Sequence, residues 1–474
     1  MRKTGDAYFD SDEFREMLAE YEEALENDEP VLLDADDLAE IADYYHMMEC
    51  YDEADEAIDF ALSLAPGAVA PLTYKIHEAL WNGDIEHARE YLGQITETDE
   101  PDYVYDKAEI MIAEERVDDA DAYLLKEFSK VPKEERQDFI VDVANIYQDY
   151  FLCEKSLEWM QRAHQENSPD FMELKARAYF GLGKFDDSER IWGDLVDIDP
   201  FSAHYWNALA STQFMKEDYS NSVQSSEYAI AINPDDTEAL LTKADGLYHL
   251  KNYEEALKYF RRYSEHEPND EHSLLFQGVC LNNLRRQQEA IPVLEKALKL
   301  CSGNEDESPY LYDIYQQLAL SYSDVGNADK AIAVIDEHAR HNATPEHAFL
   351  MKGHVMLAAH DEKKAREYFR EALEHSDSPI KTMSKVIITF YDNKLVNKAY
   401  SMFKEYFRVA DPKLAEGHAY MALCCFELRH FDEFLEYLKK ACDKDLNACR
   451  AALGHLFPED IEPQDYYNYI KDSL

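Results

Sequence analysis

Carboxylates at helical spacing are the residues of this chain best placed to do chemistry. Asp36, Glu40 and Asp43 stand at i, i+4, i+7, and so do Asp102, Asp106 and Glu109. Asp138, Asp142 and Asn145 repeat the spacing with Asp149 one turn on, and Asp170 and Glu173 continue the series less regularly. Residues so spaced share one face of a helix. Like charges at i, i+4 weaken a helix slightly, so a chain that repeats the arrangement accepts a cost that a mixed surface would avoid. A row of carboxylates attracts positive charge: a basic protein surface, a basic peptide or counterions. The simpler reading is a solvated face of an acidic protein, and composition alone could produce it.

Other chemistries find less support. There are 17 histidines. His347 and His354 lie seven apart with Asp361 beyond, the best candidates for a metal or acid–base site, but no HExxH spacing occurs. Eight cysteines include the adjacent Cys424 and Cys425 and the pair Cys442 and Cys449, seven apart, with no CxxC. Their scatter reads as small apolar core residues in a reducing compartment, without zinc or redox pairing. No Ser, Cys or Lys sits in a nucleophile elbow. With 14 glycines the chain is poor in material for phosphate-cradling loops. No catalytic residue, cofactor or metal is assigned, and an enzyme is not expected.

Charge narrows the partner. Lys and Arg number 47 against 99 Asp and Glu, a net of -52. Residues 1–170 hold 13 basic and 47 acidic side chains, and the rest 34 and 52. Binding a phosphate backbone needs clustered cations, as does an anionic membrane, so neither nucleic acid nor membrane is an expected ligand. Met1 to Asp10 carries two basic residues without an apolar run after them, and the apolar run Ala419 to Phe426 is too short to cross a bilayer. A cytoplasmic location is expected.

The elements that must position these residues follow from a period near 34. Ala176, Ala210, Ala244 and Gly278 fall 34 apart, as do Pro200, Pro234 and Pro268. In Thr237 to Asp270, Leu240, Ala244 and Leu247 form the apolar stripe of a first helix, and Ala256, Leu257 and Phe260 that of a second. Asn252 and Tyr253 make the turn between them, and Pro268 closes the unit. Small residues recur where the two helices approach closely. Trp206-x-x-Leu209-Ala210 opens another unit. The spacing resembles the tetratricopeptide repeat. About twelve units are read, beginning near Ala35, Val69, Pro101, Gln137, Pro169, Ala203, Thr237, Glu271, Tyr312, Glu346, Ile380 and Ala415. Ile76 and Ile387 replace the small residue of their first helices, and Phe434 that of the last second helix, so the last unit is expected to pack differently.

The resemblance implies an all-α fold: a right-handed α-solenoid of stacked helix-turn-helix hairpins over residues 35–448. Residues 1–34 would form an N-terminal capping helix, with Asp12 to Asn27 helical behind an Asp10–Glu13 capping box, and 449–474 the C-terminal caps. First helices of this family line a concave groove, which makes the acidic rows, including Glu173, a candidate wall for a basic partner. In the third unit the acids lie two residues, about 200°, from the packing stripe Val104, Ala108 and Met111, and so face away from the partner helix. At the middle of the array the inward positions include Asn207, Phe214, Tyr248, His249 and Asn282, suited to holding a peptide or to ordinary packing between first helices. A clamp for a carboxylate tail needs several cations. The matching faces offer Glu173, Arg177, Asn207, Ser211, Glu238 and Thr242, so that ligand is disfavoured. The function implied is a non-enzymatic protein-interaction scaffold. A self-assembling solenoid is the alternative, and a metal-dependent enzyme in a repeat shell a remoter one.

Overall fold

The structure is a computed structural model that describes residues 6–9, 11–27, 30–164, 167–301, 308–341, 344–411, 413–458 and 461–473. Every regular element among them is a helix. After Asp12–Glu26 come twelve helix pairs among the described residues, from Ala35–Met47 with Tyr51–Leu64 to His418–Glu427 with Phe431–Lys444. Short helices follow at Leu446–Leu453 and Tyr466–Ser473. None of the described helices is long and apolar enough to cross a membrane. The Asp10 of the expected capping box lies outside the described residues; the Ser11 side chain accepts the Phe14 N–H at 3.2 Å instead.

First helices begin within a residue of the positions read from the sequence, except the last. It starts at His418 rather than Ala415, after Gly417, whose φ of +86° no side-chain-bearing residue adopts cheaply. The small residues of the period do what the spacing implies. Ala176, Ala210 and Ala244 are fully buried. A Cβ at Gly278 would run into Leu294, and one at Gly353 into Phe369. Ile76 and Ile387 are also buried, so their units absorb a larger side chain at this position. Phe434 is buried beside Phe426, ring centroids 5.4 Å apart.

Each pair is closed by the same device. The residue after the first helix's C-cap takes a left-handed conformation: Glu49, Gly83, Glu115, Phe151, Gly183 and Glu217 in the first six pairs, then Lys251, Arg285, Gly326, His360, Lys394 and Arg429. The next N–H reaches back into the helix, as from Cys50 to the Tyr45 carbonyl at 2.8 Å and from Leu152 to that of Tyr147 at 2.7 Å. This satisfies carbonyls that the helix end would leave orphaned. Left-handed backbone costs a side-chain-bearing residue about 1–2 kcal/mol relative to glycine-like freedom, and a bulky residue there is an outlier.

Contacts divide the chain into two units, residues 1–217 and 218–474. In the first, buried cores gather around Leu38 and Ile58, around Leu72 and Ile76, around Phe139 and Trp159, and around Trp192 and Leu195. In the second, one buried cluster runs from Ala244 to Tyr466.

Candidate functional site

Within residues 1–217, consecutive first helices bring their carboxylates together. Asp106, on Pro101–Ala113, is 1 % exposed. It packs against the preceding first helix, Val69–Trp81, where the Thr73 hydroxyl donates to Oδ2 at 2.7 Å. From the same helix His77 Nε2 lies 3.3 Å from Asp106 Oδ1 and 3.7 Å from Glu109 Oε2. One imidazole thus serves two carboxylates. Burial pushes the Glu109 carboxyl up to about 7; His77 opposes the shift, and Asp106 and Asp149 add to it.

One turn nearer the helix start lies a second group. Tyr105 donates to Asp142 Oδ2 at 2.9 Å, on the next first helix, Arg136–Asp149. Burial and the charges of Asp138 and Asp102 raise Asp142 above the usual carboxylate range, against the Tyr105 hydrogen bond. The Tyr105 phenol is driven well up by burial and by Asp142, Asp102 and Asp138. Asp149 is raised by burial, while Arg177 and His77 pull it down. At the far end His204 sits 3.1 Å from Glu173, and that hydrogen bond holds Glu173 below its ordinary value.

A tetratricopeptide-repeat family model matches residues 174–237, and a model of anaphase-promoting complex, cyclosome, subunit 3 matches residues 215–297. Residues 174–237 are thus tetratricopeptide repeat. Among solved structures the chain is similar to a tetratricopeptide-repeat protein from Parabacteroides merdae ATCC 43184, at 12% identity and a TM-score of 0.41, over 51% of this chain and 93% of that one. It is also similar to YrrB, described as a TPR protein with an unusual peptide-binding site (14% identity, TM-score 0.34, 39% of this chain and 92% of that one). A third likeness is to the MamA protein (18%, 0.33, 36% and 91%). No curated protein matches the chain.

The other sequence-read positions of this repeat protein fall apart into separate settings. Asp36 is exposed and Asp43 half-buried, while Glu40 takes the Tyr8 hydroxyl at 2.5 Å and so meets the N-terminal segment. Asn145 is half-buried on the acidic face. Asn207 is buried, Phe214 half-buried. Tyr248 meets Phe276 edge-on at 4.8 Å, and His249 stacks on Tyr219 at 4.4 Å. Asn282 donates to the Gln317 side chain at 3.1 Å and accepts from Ser321 at 2.8 Å. Tyr248 and Asn282 are therefore engaged between neighbouring first helices.

The histidine candidates diverge. His347 lies 2.5 Å from the Tyr312 hydroxyl, His354 accepts from Asn393 at 3.3 Å, and Asp361 caps the following helix through the Lys364 N–H at 3.1 Å. Among the described residues no three His, Cys, Asp or Glu are grouped to hold a metal. The cysteines are free, but Cys442 and Cys449 are not scattered: their sulfurs are 3.6 Å apart across the junction of two helices. Sequence reasoning also passed over Thr73, His77 and Tyr105. Their signal was available, since each sits about one period before the carboxylate it contacts.

Proposed function

We propose that this chain is a non-enzymatic scaffold that binds a basic protein or peptide segment along the acidic first-helix faces of residues 101–181. One observation supports the reading above the others. Asp102, Asp106, Glu109, Asp138, Asp142 and Asp149 crowd onto neighbouring helices with His77 and Arg177 beside them, so that burial and mutual repulsion raise Glu109 and Asp142. A cationic side chain laid against them would relieve that repulsion. Perturbed carboxylates gathered in one place are candidates for a functional site. The rest of the array, read as about twelve repeats over 35–448 with caps at both ends, would hold the surface in shape. Eight free thiols agree with work in the cytoplasm.

The test is binding of an oligolysine probe, followed by calorimetry at rising salt. Asp102→Lys with Asp138→Lys removes charge from exposed or half-buried sites and leaves Asp106 in place. The expected result is affinity that falls with salt and is lost in the double variant, with the helical circular dichroism unchanged. Equal binding by the variant would leave the acidic face with a solubilising role only.

A further inference from the structure

The turns that close the first six pairs carry a second surface, separate from the carboxylate face. Trp81, the last residue of its first helix, is 92 % exposed, and Phe151, in the turn two pairs on, is 91 % exposed. Neither ring touches another aromatic ring among the described residues. Large aromatic side chains are rarely left so bare. Phe151 is the odder of the two. It occupies the left-handed turn position, φ 57°, where Gly183 sits in the next pair and Gly83 two pairs before. A bulky residue held in strained backbone, with its side chain packed on nothing, points to a use outside the fold.

These turns share one edge. First helices run in the same sense, because each is joined to the next through an antiparallel partner. Contacts link the turn regions of successive pairs: Arg89 with Glu114, Cys153 with Gly181, and Lys216 with Asp186 at 2.6 Å. Along this edge acidic residues lie among the apolar ones, with Lys216 paired to Asp186 and Arg116 to Glu114 and Asp119. Met48 (53 % exposed) precedes Glu49, Trp81 is followed by Glu115, Phe151 by Asp186, and Met215 (51 %) by Glu217. Glu49, Glu115 and Glu217 are exposed, and none forms an ion pair among the described residues.

We propose that this edge docks a cationic segment of another protein, with Trp81 and Phe151 as anchors and Glu115 between them receiving an arginine or lysine. Exposed aromatic faces and carboxylates both attract cations, which is the complementarity that selects this partner. The anchors are two first helices apart, on the order of 20 Å at the usual 8–10 Å spacing of packed helices. An extended segment covers that in about six residues.

A synthetic peptide with two leucines six residues apart and arginines between is the probe, bound to the full chain and read by anisotropy of a label on the peptide. Trp emission should shift to the blue in wild type and not in Trp81→Gln, since Trp159 and Trp192 are already buried and Trp206 is half-buried. Trp81→Gln and Phe151→Gly should each weaken binding at least tenfold, and Glu115→Lys severalfold, with unchanged circular dichroism. Replacing the leucines by serine should cost as much as losing an anchor. Equal affinity for the leucine and serine peptides, or for wild type and the Trp81→Gln/Phe151→Gly double variant, overturns the proposal. So does self-association in sedimentation that the double variant abolishes, because the occupant would then be a second copy. Asp102→Lys with Asp138→Lys separates the two surfaces. If it abolishes peptide binding while the anchor variants bind normally, the edge fails and the carboxylate face stands. If the anchors alone matter, the edge stands and the carboxylate face fails for this probe.

Discussion

Residues 1–217 and 218–474 repeat one hairpin and use its surface in opposite ways. The first carries 18 Lys and Arg against 55 Asp and Glu, the second 29 against 44. In the second unit, the pair Pro379–Asp392 with Val396–Val409 sends lysines to carboxylates of both its neighbours: Lys381 with Glu416 at 2.9 Å, Lys385 with Glu346 at 3.3 Å, Lys404 with Glu433 at 2.7 Å. Hydrogen bonds from Lys381 and Lys404 hold Glu416 and Glu433 below the usual range, and those from Thr382 and Lys385 do the same for Glu346 against its burial. In the first unit, on Pro101–Ala113 and Arg136–Asp149, carboxylates neighbour carboxylates, and Glu109, Asp142 and Asp149 are pushed up. The closing turns follow suit, with Glu, Gly or Phe in one unit and Lys, Arg, His or Gly in the other. Packing sets the hairpin; surface charge is left free for a second task, and on Pro101–Ala113 and Arg136–Asp149 carboxylates gather, although pairs such as Lys75 with Asp55 and Lys216 with Asp186 still join neighbours elsewhere in the first unit.

That contrast can be broken at its root by testing whether packing really is shared. Trp159→Ala in the first unit and Phe260→Ala in the second remove fully buried rings, and each should cost about 3–5 kcal/mol in urea unfolding. A much smaller loss on one side would mean that the two units are not built alike.

Next in size is the carboxylate penalty. Glu109 is raised in the folded state, so the folded chain holds the proton more tightly than the unfolded one. Its contribution to stability is therefore present below the ordinary carboxylate value and is lost as pH rises towards about 7. Glu109→Gln should stabilise the first unit by on the order of 1–2 kcal/mol at pH 8 and by little near pH 5. Hydrogen exchange in Pro101–Ala113, corrected for the intrinsic rate, should report it. Glu346, Glu416 and Glu433 run the other way. Their stabilisation holds above the ordinary carboxylate value and disappears as pH falls through their lowered values, so acidification relieves Pro101–Ala113 in one unit while loosening these three contacts in the other. A common pH response in both would remove the electrostatic half of the comparison.

Smaller again, Phe151→Gly should raise the melting temperature slightly, a gain of up to about 1 kcal/mol from relieved backbone offset by glycine's entropy. A loss of stability would show that the ring packs in solution. The least effect is expected from Lys385→Ala, about 0.2–1 kcal/mol for an exposed pair, seen as earlier melting of the second unit.

How far the sequence reached follows from the same physics. Prolines, small residues and apolar stripes are local, and they placed nearly every first helix. The start at His418 escaped because Gly417 resets the chain by a turn that no apolar position marks. Asp106 and Asp102 carry the same chemistry on one helix, yet the first is buried and the second half-buried. That difference depends on Thr73, 33 residues earlier, and helical spacing within one helix cannot see it. The Tyr248 and Asn282 faces likewise resolve into packing only when the neighbouring helix is in place. Phe151 was within reach, since aligning the units puts it in register with Gly83 and Gly183.

The left-handed residue after each first helix has one more consequence. Backbone geometry, not the side chain, makes the bend there, so the position behaves as a row of blank tiles within each unit, each numbered by its hairpin. A spin label or cross-linker mounted at Glu115, Glu217 or Lys251 would report on a chosen hairpin and disturb nothing beneath it, which turns the architecture itself into a ruler.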